Sequence, residues 1–179
     1  MVSSKKLAVG MVHVYTGNGK GKTTAALGLA LRAVGQGLKV YMIQFMKGDP
    51  EYGELQAVRD LPNFVIRQYG RPDFVDRKNP SQVDLRLAQE GLAHAQEIVA
   101  TGEYDLVILD EINVALNFKL IDLQEVLGLI EGKPQETELV LTGRYAPKQV
   151  VQAADLVTEM REVKHYFHLG RKPRNGIEH

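Results

Sequence analysis

The sequence predicts an α/β fold, a mostly parallel sheet of about six strands with helices on both faces. Near-continuous apolar runs, typical of strands buried on both sides, alternate with segments of helical periodicity. A Gly-rich turn also joins the first apolar run to the first helix. With 179 residues, 44% of them hydrophobic, the chain can form one such core. We expect a single domain over 1–179, with flexible tails at 1–9 and 171–179.

The first half of the chain contains three predicted strands and the first helix. A run rich in β-branched and aromatic residues predicts a strand over 10–16. The helix over 23–37 has a broad apolar face and ends in a segment with two glycines. Apolar runs predict further strands at 38–45 and, more weakly, at 63–68.

The longest predicted helix spans 81–102. Pro80 precedes it, and Ser81 with Asp84 three residues later has the spacing of a capping box. Gly102 marks its end. We therefore expect a well-defined helix with an apolar stripe against the sheet.

The second half alternates strands and shorter helices. Strands are predicted at 104–111, 138–144 and 155–160, and helices at 121–132 and 147–154. The first of these strands ends in two carboxylates.

Two segments, 46–62 and 69–80, are rich in Gly, Pro and charge and are predicted to be loops. Loops at the carboxyl ends of parallel strands are where ligands of such sheets bind.

Composition excludes several functional classes. Lys plus Arg and Asp plus Glu number 22 each, so net charge favours neither nucleic acid nor an acidic partner. The chain has no cysteine and therefore no thiol nucleophile or Cys-ligated zinc. No apolar run approaches the roughly 20 residues of a membrane span. We expect a soluble cytoplasmic protein that contacts neither membrane nor nucleic acid.

The Gly-rich turn has the features of a phosphate-binding loop, but it is one residue shorter than the usual G-x-x-x-x-G-K-[ST]. That pattern would put its first glycine at position 16, which is Thr16, and the glycine is Gly17. Glycines let backbone N–H groups turn toward phosphate oxygens, and the helix N-terminus adds partial positive charge. The predicted phosphate-binding residues are Gly17, Asn18, Gly19, Lys20, Gly21, Lys22, Thr23 and Thr24. This loop specifies the fold class further, as P-loop NTPase-like.

A metal site is predicted beside the loop. Thr23 can place its hydroxyl on Mg²⁺, and Asp110 or Glu111 at the end of a strand can supply the carboxylate. The sequence leaves open which of the two carboxylates binds the ion. Beyond these two carboxylates the sequence indicates no base for an acceptor hydroxyl or a water.

The chain resembles the P-loop type of ATP:corrinoid adenosyltransferase, the cob(I)alamin adenosyltransferases of coenzyme B12 biosynthesis. The resemblance covers roughly 11–178. The motifs that carry it are GNGKGKTT (17–24), QFMKG (44–48), LDEINVAL (109–116), LTGR (141–144), AADLVTEM (153–160), VKH (163–165) and NGIE (175–178).

The resemblance implies a reaction other than phosphoryl transfer. Co(I) of a reduced corrinoid attacks the 5′ carbon of ATP, and triphosphate leaves. Because Co(I) brings its own electron pair, no base is needed. The loop then binds the triphosphate of ATP, and the expected catalytic residues are Lys22, Thr23 and Glu111, with Mg²⁺ on Thr23 and on Asp110 or Glu111.

The resemblance also suggests residues for the corrinoid, which we expect at Lys47, Phe74, Arg144, Met160 and Arg161. Some relatives have a Gly-Phe-Thr-Trp loop whose aromatic residues displace the lower base of the corrinoid. Here the segment 71–80 keeps Phe74, but the chain has no Trp. The segment before the first strand is shorter than the lid of longer relatives, and His179 replaces a terminal aromatic residue.

The resemblance further implies a homodimer and a flavin-dependent reductase that supplies the electron to Co(II). Two alternatives from other classes are a P-loop phosphotransferase or NTPase that releases ADP, and a non-catalytic module that binds nucleotide or corrinoid. They differ from adenosyl transfer in the product: ADP for the first, and no Co–C bond for the second.

Overall fold

One six-stranded sheet forms the centre of the molecule in the computed structural model, which describes residues 7–178. The strands are β1 (Val12–Thr16), β2 (Val40–Phe45), β3 (Phe64–Tyr69), β4 (Leu106–Asp110), β5 (Glu138–Thr142) and β6 (Leu156–Glu159). Their order in the sheet is β3-β2-β4-β5-β1-β6, and every neighbouring pair is parallel. The prediction of about six mostly parallel strands is confirmed.

Helices cover both faces of the sheet. They are α1 (Lys22–Gly35), α2 (Gly53–Ala57), α3 (Gln82–Thr101), α4 (Ile112–Asn117), α5 (Leu123–Gly132) and α6 (Lys148–Ala153). Two short 3₁₀ helices span Val58–Asp60 and Tyr166–Leu169.

The hydrophobic core has two layers, one on each face of the sheet. Side chains of successive strand residues point to opposite faces. In β2, for example, Met42 packs with Ala26 and Ala30 of α1, whereas Ile43 packs in the layer that contains Leu92 and Ala95 of α3. The near-continuous apolar strands of the sequence are explained by this burial on both sides.

The predicted caps of α3 are confirmed. The hydroxyl oxygen of Ser81 accepts from the N–H of Asp84 at 3.2 Å, and Oδ2 of Asp84 accepts from the N–H of Ser81 at 2.9 Å. Gly102 ends the helix in the left-handed conformation, with φ of 60°. The sequence signals on both sides of this helix were thus sufficient to place it.

The prediction that 46–62 is entirely a loop is wrong, because it contains α2 and the first 3₁₀ helix. Leu55, Val58 and Leu61 pack against the layer on the α1 face, so tertiary contact stabilises elements too short to show a helical period. The sequence also did not predict α4, a helix of six residues directly after Glu111.

The carboxyl ends of the strands meet along one edge of the sheet. Gln44 at the end of β2 is in register with Asp110 of β4, and Tyr15 of β1 with Thr142 of β5. This edge therefore brings the Gly-rich loop after β1 close to the carboxylates after β4.

No helix within residues 7–178 is long and apolar enough to cross a membrane. Residues 1–6 and 179 of the predicted tails lie outside the described residues, and tail flexibility stays a prediction.

Candidate active site

The Gly-rich loop packs directly on the backbone that follows β6. Gly17 has φ of 92°, and a Cβ there would lie 2.4 Å from the carbonyl oxygen of Met160. The N–H of Gly19 donates to that same carbonyl at 2.7 Å. Glycine at both positions is therefore a requirement of the close approach between two backbone segments.

Lys22 lies inside the loop rather than pointing to solvent. Its buried ammonium donates to the carbonyl oxygens of Gly17 at 2.9 Å and Gly19 at 2.7 Å. Burial lowers the pKa of Lys22, and the neighbouring carboxylates of Glu111 and Asp110 oppose that shift only in part. The loop thus contains a partly desolvated cation at the position where a phosphate would bind.

Asp110 is the centre of a buried hydrogen-bond network. Its Oδ1 accepts from the hydroxyls of Thr23 at 2.9 Å and Thr142 at 2.7 Å. Its Oδ2 accepts from the ammonium of Lys47 at 2.7 Å and the amide of Gln44 at 3.3 Å. Four donors compensate this carboxylate, which has no solvent-exposed surface.

Glu111 differs from its neighbour because it lines the cavity. Its backbone is in the left-handed region, with φ of 62°, and its N–H donates to the hydroxyl oxygen of Thr142 at 3.0 Å. Burial raises the pKa of Glu111, and the adjacent charge of Asp110 raises it further. A cation placed beside this carboxylate would relieve both effects.

The loop opens into a cavity of about 790 Å³. Its polar side contains the residues from Gly19 to Thr24 together with Lys47, Glu54 and Glu111. Its apolar side lies between α1 and the 3₁₀ helix Val58–Asp60. Phe74 and the segment 176–178 complete the lining. This volume is within the usual range for small-molecule sites.

The predicted corrinoid residues fall into two groups. Lys47, Phe74 and Arg144 line the cavity with the loop, and the side chain of Phe74 is completely exposed. Met160 and Arg161 instead lie behind the loop, where the backbone of both approaches Gly19. Contact of any of them with a corrinoid stays a prediction.

Three residues of the site were missed by the sequence reading: Gln44, Glu54 and Thr142. The amide of Gln44 donates to Glu54 at 3.0 Å as well as to Asp110. Gln44 and Thr142 are fully buried polar residues at strand ends. That position, just before a predicted loop, was the signal that could have identified them.

The donor set beside the loop consists of oxygen atoms, which suit a hard cation such as Mg²⁺. No group of three or more His, Asp or Glu side chains capable of holding a metal occurs within the described range 7–178. The hydroxyl of Thr23 lies beside carboxylate oxygens instead. One hydroxyl and one or two carboxylates, completed by phosphate oxygens and water, are typical ligands of Mg²⁺.

These features together define a P-loop nucleotide-binding protein: a glycine loop after a strand, a buried lysine, a threonine hydroxyl and a carboxylate on a nearby strand. Residues 8–179 match the sequence profile of the family described as ATP:corrinoid adenosyltransferase BtuR/CobO/CobP, and the chain belongs to this family. The predicted family is thereby confirmed, and with it the class of enzyme, a transferase that acts on a corrinoid.

Individual relatives agree with this assignment. A corrinoid adenosyltransferase of Pseudomonas aeruginosa is 38% identical over 94% of this chain and 83% of its own. One of Escherichia coli is 36% identical over 95% of this chain and 86% of its own. The corrinoid adenosyltransferase CobA of Salmonella typhimurium is 35% identical over the same shares.

Proposed function

We propose that this enzyme transfers the 5′-deoxyadenosyl group of ATP to Co(I) of a reduced corrinoid, cob(I)alamin or a precursor, and releases triphosphate. The observation that carries the proposal is the family match over residues 8–179 together with an intact phosphate-binding loop. In this step Co(I) supplies the electron pair of the new Co–C bond. The pair of the broken C5′–O bond leaves with triphosphate, so no proton has to move.

We propose that the residues of the loop stabilise the leaving group, triphosphate. Triphosphate gains charge as the C5′–O bond breaks, and preorganised donors at that position lower the barrier. We propose that Gly17 to Thr24 bind the triphosphate. Lys22 then exchanges the carbonyls of Gly17 and Gly19 for phosphate oxygens, which are stronger acceptors for an ammonium group.

We further propose that Mg²⁺ binds between Thr23 and Glu111. Glu111 lines the cavity, whereas Asp110 is fully buried and already accepts four hydrogen bonds. Asp110 then orients the Thr23 hydroxyl, with a ligand role for Asp110 as the alternative. When bound, Mg²⁺ neutralises charge on the triphosphate.

For the corrinoid we propose Lys47, Phe74 and Arg144 in the cavity, and Met160 and Arg161, which lie behind the loop, as further candidates. An ammonium has three donors. Lys47 can therefore keep its bond to Asp110 and still donate to a corrinoid amide. Arg144 follows β5 and is exposed, so its side chain can contact a polar substituent of the corrinoid without leaving a buried position.

We also propose that the enzyme works in the cytoplasm as a homodimer, with a flavin-dependent reductase that delivers the electron to Co(II). ATP and a reductant are both required for the reaction, which supports this location.

An anaerobic assay tests the function. The protein is mixed with ATP, Mg²⁺ and chemically reduced cob(I)alamin, and the visible spectrum and the phosphate product are followed. We expect loss of the Co(I) band, a photolabile Co–C product and triphosphate. Lys22→Ala should abolish the reaction, while Lys39→Ala, an exposed lysine at the opposite end of the strands, should not.

The same assay separates the alternatives. ADP with an unchanged corrinoid spectrum would identify a phosphotransferase or NTPase. Tight binding of ATP or corrinoid without a Co–C bond would identify a binding module. Either result would overturn the proposed transfer.

A further inference from the structure

The segment from Arg174 to Glu178 lies against the Gly-rich loop and closes one side of the cavity. Gly176, Ile177 and Glu178 all line the cavity. The ammonium of Lys20, a loop residue, donates to the carbonyl oxygen of Ile177 at 2.9 Å. A segment more than 150 positions away in sequence thus contacts the residues predicted to bind phosphate.

Glu178 fastens this segment to the chain before it. Its carboxylate accepts from the guanidinium of Arg174 at 3.1 Å and 3.3 Å, and from the N–H of Arg174 at 2.7 Å. It also accepts from the hydroxyl of Tyr166. The Arg174 guanidinium stacks on the Tyr166 ring at 4.9 Å from its centroid. We call these three residues the Glu178 latch.

The charge of the latch suits a position beside a polyanion. The carboxylate of Glu178 alone would repel a triphosphate, but Arg174 neutralises it. Hydrogen bonds from Arg174 and Tyr166 lower the pKa of Glu178 to about 2, so the latch stays ionised at neutral pH. With Glu178 neutralised in this way, the ammonium of Lys20 adds a positive charge on this side of the cavity.

We propose that the segment 174–178, held by the Glu178 latch, positions Lys20 for the triphosphate and thereby sets the affinity of the site for ATP. An ammonium has three donors, so Lys20 can keep its bond to the Ile177 carbonyl while it donates to a phosphate oxygen. This inference rests on the nucleotide site of the proposed function.

The proposal implies reciprocal coupling. If the closed segment strengthens triphosphate binding, bound triphosphate must stabilise the closed segment by the same factor. A tenfold change in Kd corresponds to about 1.4 kcal/mol, which is close to the contribution of one hydrogen bond from a charged group.

The first experiment measures Kd for ATP and for inorganic triphosphate, without corrinoid, in three variants. They are Glu178→Ala, a chain that ends at Pro173, and the control Lys172→Ala, an exposed residue outside the latch. We expect the first two to weaken both ligands by about tenfold, with the thermal midpoint unchanged, and the control to bind like the wild type. Unchanged affinity in the shortened chain would overturn the proposal. Weaker ATP binding with unchanged triphosphate binding would overturn it too, because the segment would then act on the nucleoside.

A second measurement follows hydrogen exchange of residues 175–178 with and without triphosphate. We expect slower exchange with the ligand in the wild type, and loss of this effect in Lys20→Met, which removes the ammonium but leaves the latch. Equal exchange with and without ligand would contradict the coupling. Failure of the proposed function can be distinguished from failure of this inference. A wild-type protein that binds ATP but forms no Co–C bond would contradict the proposed transfer and leave the binding and exchange results unchanged.

Discussion

The ammonium of Lys47 lies 2.7 Å from Oδ2 of Asp110, and this ion pair joins the end of β4 to the segment after β2. The side chain of Asp110 is fully buried, and that of Lys47 is 17% exposed. Burial alone would lower the pKa of Lys47, but the charge and hydrogen bond of Asp110, together with the charges of Glu111 and Glu54, raise it above its ordinary value. The pair therefore contains two formal charges in a mostly dry environment.

Removing the cation should destabilise the fold. In Lys47→Met the stem of the side chain remains, but the fully buried Asp110 loses its ion-pair partner. We expect the free energy of unfolding to fall by about 3 kcal/mol, measured by urea denaturation without ligands. Lys39→Met is the matched control at an exposed position. A loss of less than about 1 kcal/mol would show that the pair adds little to stability.

The hydroxyl of Thr23 has a second testable role. Asp110 orients it at 2.9 Å, and the proposed Mg²⁺ needs its oxygen. We expect Thr23→Ala to lower kcat/KM of adenosyl transfer by about 100-fold, and Thr23→Ser, which keeps the hydroxyl, to lower it by less than about fivefold. The measurement is transfer rate against Mg²⁺ concentration. Equal losses in both variants would point to the methyl group rather than the hydroxyl.

The sequence was sufficient for the parts of the site with a local pattern. The loop, with Gly17 and Lys22, is recognisable because its glycines and lysine lie within eight residues between a strand and a helix. Asp110 and Glu111 are recognisable because charged residues end an otherwise apolar strand. Each of these features can be recognised from residues that are adjacent in the sequence.

What the sequence could not predict depends on strand order. Thr142 contacts Asp110 because β5 lies beside β4, and Gln44 does so because β2 lies on its other side. Nothing near either residue specifies those neighbours. Likewise, α2 is too short to show a helical period, and its Leu55 is held by packing against the hydrophobic layer on the α1 face of the sheet.

Two glycine substitutions should have opposite effects. Gly17→Ala places a Cβ 2.4 Å from the Met160 carbonyl oxygen at φ of 92°, so the loop must shift. Gly28, in the middle of α1, has open space around its Cβ position. We expect Gly17→Ala to abolish ATP binding and Gly28→Ala to stabilise the protein by about 0.5–1 kcal/mol without affecting binding. Calorimetry measures both, and ATP binding by Gly17→Ala with wild-type affinity would contradict this account of the loop.

The start of α3 should contribute a pH-dependent part of the stability. The Arg71 guanidinium, 2.9 Å from Asp84, holds the pKa of that carboxyl below its ordinary value. As the pH falls, the carboxyl of Asp84 takes up a proton near its ordinary pKa of about 4 in the unfolded chain, and only at lower pH in the folded protein. The contribution is therefore complete above about pH 5 and is lost as the pH falls through the unfolded pKa toward the folded pKa.

Asp84→Asn tests this pH-dependent contribution, because asparagine has the shape of aspartate but no titratable charge. It should lower the free energy of unfolding by about 1–2 kcal/mol at pH 7, since the capping box loses its charge. The difference from the wild type should shrink as the pH falls from about 5 to about 3. Denaturant titrations across that range measure it, and Glu103→Gln, at an exposed loop position, serves as the control. A difference independent of pH would contradict the assignment.

The loop that carries Phe74 is attached to the protein on both sides of this residue. Arg71 pairs with Asp84 of α3. Arg77 lies over the rings of Phe118 and Tyr145, at 6.0 Å and 5.8 Å from their centroids. Phe74 itself is completely exposed at the border of the cavity. The proposed contact with the corrinoid would bury this exposed aromatic side chain, on a loop that is anchored on both sides.

Phe74→Ala should therefore affect one form of substrate and not another. If Phe74 displaces the lower base of the corrinoid, it matters while Co(II) of complete cobalamin is being reduced. It matters much less once Co(I) has been made chemically. We expect Phe74→Ala to slow adenosylation from cob(II)alamin with a flavin reductant by about tenfold or more, and to leave the rate with preformed cob(I)alamin within about twofold. Cobinamide, which lacks the lower base, is the matched control substrate and should show no difference between variant and wild type. An equal loss on all three substrates would mean that Phe74 binds the corrinoid ring and does not act on its lower ligand.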